Sequence, residues 1–153
     1  MLLGIDHVGI ACRDIHGSMR RYRELFGLDV VRFEERPASG VLEAMLAVSP
    51  TALTTAVGGA RDGHRVVSYV QLLQPLRDDT ALGRFLHEHG EGIQHVGYAV
   101  ADLASVVPEL ERRGARLVPD MPAHGILGSS IAFLEPSSAA GVLTELVEID
   151  EHR

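Results

Sequence analysis

Two stretches of this chain repeat each other. Residues 5–15 read IDHVGIACRDI and residues 93–103 read IQHVGYAVADL; six of the eleven positions are identical, at an offset of 88 residues in a chain of 153. Such a duplication constrains the fold strongly, because each copy must build the same unit and the two units must share one small protein. Each copy opens with alternating apolar character, which suits a strand. Each then reaches an aspartate, Asp14 or Asp102, placed as a helix N-cap. Helical spacing follows in Met19, Tyr22, Leu25 and Phe26 up to Gly27, and in Val106, Val107 and Leu110 up to Gly114. Three extended segments complete each half, at 29–34, 40–48 and 67–73 in the first and at 116–118, 130–134 and 142–147 in the second. The expected class is therefore α+β: two tandem βαβββ modules, about residues 4–76 and 92–150, in a single domain spanning 1–153. A linker helix is expected at 79–88, before Gly90 and Gly92, and a loop rich in Thr, Gly and Ala at 49–66.

Composition narrows the function classes. At this length roughly 70% of the unfolded surface can be buried, so a core needs no disulfide staples. Cys12 is the one cysteine, which excludes an internal disulfide and a cysteine-cluster zinc site. The net charge of −7 argues against nucleic acid as a partner. All 14 basic residues are arginine, which excludes Schiff-base chemistry and a phosphate-loop lysine. Neither GxSxG nor GxGxxG occurs. No apolar run reaches the ~18 residues of a membrane span, and the N-terminus has no basic start or cleavage signal; no membrane partner and a cytoplasmic address are expected.

Strand alternation then decides which polar groups share a face. His7 lies on one face with Gly9 and Ala11, and His95 on one face with Gly97 and Ala99. The last strand of each half carries a matching polar residue, Gln71 in VQLLQ and Glu145 in TELVE. Two such halves side by side enclose a cleft into which equivalent residues converge. Two imidazoles, an amide oxygen and a carboxylate suit a borderline divalent cation, Co²⁺, Zn²⁺, Ni²⁺, Mn²⁺ or Fe²⁺, and leave two octahedral positions open. A single strand histidine is more often a hydrogen-bonded core residue, but two in one repeat register favour a shared ligand. Glu145 is flanked by apolar residues, where a bare carboxylate costs several kcal/mol unless a cation or an arginine meets it. Glu43, mid-strand among apolar residues, is either an exposed strand residue or a cleft-facing carboxylate. In the second case desolvation raises its pKa towards that of a general base. His16, His64, His87, His89 and His152 read as solvated; His124, in a loop beside glycine, is within reach of a ligand.

The segments IDHVGIA, EERPASGVLEAMLAV, VQLLQPL, GEGIQHVGYAV and IAFLEPSSAAGVLTELVE, in that order and spacing, resemble the methylmalonyl-CoA epimerase family of the vicinal oxygen chelate (glyoxalase I-like) superfamily. The resemblance runs from Ile5 to Glu148. It implies paired βαβββ modules around a metal-containing cleft and a homodimer. It also implies a divalent metal at His7, Gln71, His95 and Glu145, and catalysis by Glu43 and Glu145 on an acyl thioester or related dicarbonyl. Glu43 would remove the α-proton from one face; Glu145, or a water beside it, would return one on the other. Basic residues expected as partners for coenzyme A phosphates are replaced here by Ala123, Ser129, Ser130 and Ser137, and Glu135 stands where a histidine is expected. Arg36, Arg65 and Arg77 are the candidates to take their place. Two other readings use the same fold. His7, His95 and Glu145 also suit another metal-dependent enzyme of this superfamily, an isomerase or an Fe²⁺ oxygenase, acting on a specialised metabolite without coenzyme A; Gln71, as a fourth ligand, argues against the oxygenase. A metal-free small-molecule binding or resistance protein has little reason to keep both histidines and Glu145.

Overall fold

The computed structural model describes residues 1–48, 68–121 and 123–149. The expected loop at 49–66, Val67, His64, Arg65 and His152 lie outside the described residues. In chain order the elements are β1 (Leu2–Ala11), α1 (Ile15–Phe26), β2 (Asp29–Arg36), β3 (Val41–Ala47), β4 (Tyr69–Pro75), α2 (Ala81–His89), β5 (Gly92–Val100), α3 (Leu103–Arg112), β6 (Ile131–Leu134) and β7 (Leu143–Glu148). The strands form one seven-stranded sheet in the order β2-β3-β4-β1-β5-β7-β6. The halves meet edge to edge where β1 and β5 pair antiparallel. Each repeat strand pairs in parallel with the last strand of its own half, β1 with β4 and β5 with β7.

The capping aspartates behave as the repeat predicts. Asp14 Oδ1 accepts from Gly17 N at 3.0 Å, and Asp102 Oδ1 from Ala104 N at 3.0 Å; such a cap stabilises a helix by about 1 kcal/mol. A second pair of caps comes from the far ends of the modules. Gln74 Oε1 accepts from Ile15 N and Glu148 Oε2 from Leu103 N, both at 2.8 Å. The motifs VQLLQ and TELVE thus each hold two polar residues with separate tasks. The first, Gln71 or Glu145, faces the cleft; the second, Gln74 or Glu148, ties the end of the strand to the start of a helix. Gly27 ends α1 at φ 68°, a left-handed conformation that costs glycine little.

Helices α1 and α3 cover one face of the sheet. α1 packs Ile15, Met19 and Tyr22 on Ala44, Leu46 and Leu72; α3 packs Val106, Val107 and Leu110 on Val100 and Leu146. Leu72 and Leu146 are fully buried mates under the repeat. The opposite face carries the odd-numbered residues of β3 and β4. The end of that face where β1 and β4 finish and β3 begins is closed by α2, which sets Leu82 and Leu86 against Leu73 and Val41. α2 starts from its Thr80 cap rather than at Asp79.

One expected strand is corrected. Residues 116–118 form only an isolated bridge between Leu117 and Leu134, flanked by bonds from Val118 N to Phe133 O and from Glu135 N to Arg116 O. Pro119 follows immediately and has no N–H with which to extend the ladder. Among the described residues, the second half therefore contributes three strands to the sheet rather than four. Among those residues no helix is long and apolar enough to cross a membrane.

Candidate metal centre and cleft

The antiparallel register of β1 and β5 sets His7 opposite Gly97 and Gly9 opposite His95. Each imidazole lies over the glycine of the other strand. A Cβ on Gly97 would sit 2.4 Å from the His7 ring, and one on Gly9 2.1 Å from the His95 ring. The repeated His-Val-Gly is therefore a steric pairing: each copy supplies one ring and the space for the other copy's ring. The rings meet edge to face with centroids 5.0 Å apart.

Three donors converge there. His7 Nε2 and His95 Nε2 are 2.9 Å apart, and Glu145 Oε2 lies 3.2 Å from the first and 3.1 Å from the second. Donors at adjacent octahedral positions of an ion with bonds of about 2.1 Å stand about 3.0 Å apart. All three residues are buried. The far ring nitrogens are engaged in hydrogen bonds, His7 Nδ1–H donating to Asp6 Oδ2 at 2.8 Å and His95 Nδ1–H to Gln94 Oε1 at 2.6 Å. That arrangement turns both Nε2 atoms inward, as a second shell does around a metal. Gln71 lines the same cavity, and its buried Oε1 has no hydrogen-bond partner. A buried amide oxygen left bare is costly, and a cation would satisfy it. The donor set therefore fits a divalent ion.

The electrostatics agree. Burial alone would lower the His7 imidazole, but the Asp6 and Glu145 carboxylates outweigh it and raise it to about 9. Burial lowers His95. Burial would raise Glu145, yet its bonds to both histidines pull it down to about 2. The site holds its carboxylate ionised and takes up positive charge to balance it.

Glu43 faces this group across a cavity of about 640 Å³ lined also by Gln71, His95, Phe133 and Glu145. It is 8% exposed, and burial raises its carboxyl to about 7 against the opposing pull of Arg36. Its Oε2 has no hydrogen-bond partner. A carboxylate poised near neutrality with a bare oxygen is suited to accept a proton from a weak carbon acid.

Gln71, His95, Glu145 and Glu43 thus line one cavity, and His7 adjoins it through its contacts with His95 and Glu145. His16, His87 and His89 are exposed, and His124 is an exposed residue at the cleft mouth. Of the arginines considered for phosphates, Arg36 lines the cleft, whereas Arg77 lies on the surface paired with Asp79 at 3.1 Å. Sequence reasoning did not single out Asp6 and Gln94, although each copy shows an acceptor directly before its histidine. It also missed Ile126, a loop residue 5% exposed that packs against the site from the second half.

The profile of the Glyoxalase/Bleomycin resistance protein/Dioxygenase superfamily matches residues 6–133. The chain is similar in structure to Streptomyces coelicolor methylmalonyl-CoA epimerase in complex with 2-nitronate-propionyl-CoA, with 38% identity, 97% of this chain and 98% of that one covered, and a TM-score of 0.82. Mycobacterium tuberculosis methylmalonyl-CoA epimerase shows 34% identity over 97% of this chain and 89% of that one, with a TM-score of 0.81. The ethylmalonyl-CoA/methylmalonyl-CoA epimerase of Cereibacter sphaeroides is 26% identical, covering 97% of this chain and all of the relative.

Proposed function

The chain belongs to the methylmalonyl-CoA epimerase family within the glyoxalase superfamily, and from that premise we propose a divalent-metal-dependent epimerase that inverts the α-carbon of methylmalonyl-CoA or a related 2-substituted malonyl thioester. The observation that carries this reading is the convergence of His7, His95 and Glu145, with Glu43 across the same cavity. A thioester α-proton is too weakly acidic for an unaided carboxylate. A divalent cation held by His7, Gln71, His95 and Glu145 supplies Lewis-acid stabilisation of the negative charge that develops on proton loss. Glu43 takes the α-proton on its buried, bare Oε2. The proton returned on the opposite face comes from Glu145 or a water beside it. The two histidines hold Glu145 strongly ionised, which favours the water as the immediate donor. Epimerisation follows when the planar carbanion is reprotonated on the side away from Glu43.

The test is deuterium wash-in. Methylmalonyl-CoA incubated with cobalt-loaded protein in D₂O should exchange its α-proton and racemise; absence of both would dismiss this substrate. Elemental analysis of protein purified without chelator should find about one divalent ion per chain. We further expect a homodimer in solution, to be checked by sedimentation.

A further inference from the structure

Among the described residues lining the cleft, Arg36 is the one permanent cation. It is the last residue of β2, and Pro37 behind it restricts it to extended backbone. Its carbonyl accepts from Ser39 N at 3.1 Å in the turn leading to β3, so the origin of the side chain is set. On the β2–β3 pair, Glu34 stands directly opposite Glu43. Like charges so placed repel. The Arg36 guanidinium enters between them, 3.7 Å from Glu34 Oε1 and 3.8 Å from Glu43 Oε2. Glu34 already has a cation of its own, since Arg32 donates to Glu34 Oε2 through Nε at 3.2 Å and Nη2 at 3.0 Å. Arg36 is thus left as the counter-charge of Glu43. Its third contact crosses to the other half, Nη2 donating to the His124 carbonyl at 2.8 Å.

We propose that Arg36 is a positioning residue: it reaches across the cleft mouth to the His124 carbonyl and, from there, holds the Glu43 carboxylate in the ionised, substrate-facing state that removes the α-proton. The inference rests on the reading of Glu43 as the base. The separation of 3.8 Å is what such a role requires. A hydrogen-bonded guanidinium would occupy Oε2 and strip it of basicity; a charge just beyond bonding distance favours ionisation and leaves the oxygen bare. The other charges that bear on Glu43 are Glu34 on β2 and Glu145 on β7, which with burial push it up, and His7 on β1, which with Arg36 pulls it down. Arg36 also ties the first half to the His124 loop of the second, so base and cleft mouth are held by one side chain.

The experiment uses metal-loaded protein and two variants. Arg36→Met keeps the stem without the charge; Arg36→Lys keeps the charge without the fork. Deuterium exchange of methylmalonyl-CoA is followed against pH, and the Glu43 carboxyl is titrated by carbon NMR, assigned with Glu43→Gln. In Arg36→Met the acid limb of kcat/KM should move up by about one pH unit, a roughly tenfold loss at pH 6 that recovers by pH 9, with KM within about twofold. Arg36→Lys should return the limb part of the way, and the Glu43 titration should move in step. A raised KM with an unmoved limb would make Arg36 a substrate contact instead, and a loss equal at every pH would make it only a structural tie; either overturns the proposal, as does an unmoved Glu43 titration. Failure of the epimerase reading looks different: the unaltered protein would show no exchange at any pH, while the Glu43 titration still shifted in Arg36→Met.

Discussion

His7 and His95 occupy equivalent positions of the two copies, yet the first imidazole is raised to about 9 and the second is lowered. Burial opposes charge on both rings; at His7 the Asp6 and Glu145 carboxylates outweigh it, whereas at His95 burial and the neighbouring His7 outweigh Glu145. One residue back, Asp6 supports His7 with a charge and Gln94 supports His95 with a neutral amide. The divergence continues through the module. Gln71 faces Glu145 as the last-strand donor. Glu43, paired with Leu73, has as its mate Ile131, paired with Val147. In the proposed site the first half therefore supplies the base and a neutral ligand, and the second supplies the anionic ligand and an apolar wall. Duplication furnished a frame in which equivalent side chains converge. In the proposed inversion of a stereogenic carbon the two faces of the substrate would meet different groups, and the differences are single substitutions on a shared backbone.

The halves are alike in the histidine each offers to the proposed metal, so His7→Ala and His95→Ala should fail alike: no bound metal by elemental analysis, and deuterium exchange at background. Retention of metal by either variant would break the equivalence. Glu43→Gln tests the point where the halves differ. It should lower kcat by about 10²- to 10⁴-fold with the metal content unchanged. Loss of metal would place Glu43 among the ligands. Asp6→Asn makes the two supporting groups alike and should weaken metal affinity by about 10- to 100-fold, measured by competition with a chelator. The buried mates Leu72 and Leu146 should again behave alike, each substitution to alanine costing about 2–5 kcal/mol in urea denaturation.

The smallest effect sharpens the asymmetry through pH. Glu43 is raised to about 7 in the fold from an ordinary 4.5, so the native state binds the proton more tightly than the unfolded chain does. Its contribution to stability is present in full below about pH 4.5 and is lost as pH rises through about 7. At pH 8 Glu43→Gln should therefore be more stable than the unaltered protein by about 2–3 kcal/mol in denaturant titration. The same ionisation should give kcat/KM an acid limb near neutrality. A buried carboxylate that destabilises its own fold is the cost expected of the role proposed for Glu43.

The amino-acid sequence by itself determined the duplicated unit, the aspartate caps, the helix stop at Gly27 and the list of inward-facing donors. Those features are local or periodic: strand alternation and helical spacing act over a few residues and are written in the chain. Tertiary structure alone decided that the two histidines would lie 2.9 Å apart, because that distance depends on the β1–β5 register and on the two glycines that leave room for the rings. It also decided that residues 116–118 would contribute a bridge instead of a strand, and that Arg36 would find Glu43 beside it and His124 beyond it. Contacts of that kind join residues as much as 88 positions apart, and no spacing rule along one chain can carry the geometry by which two strands meet.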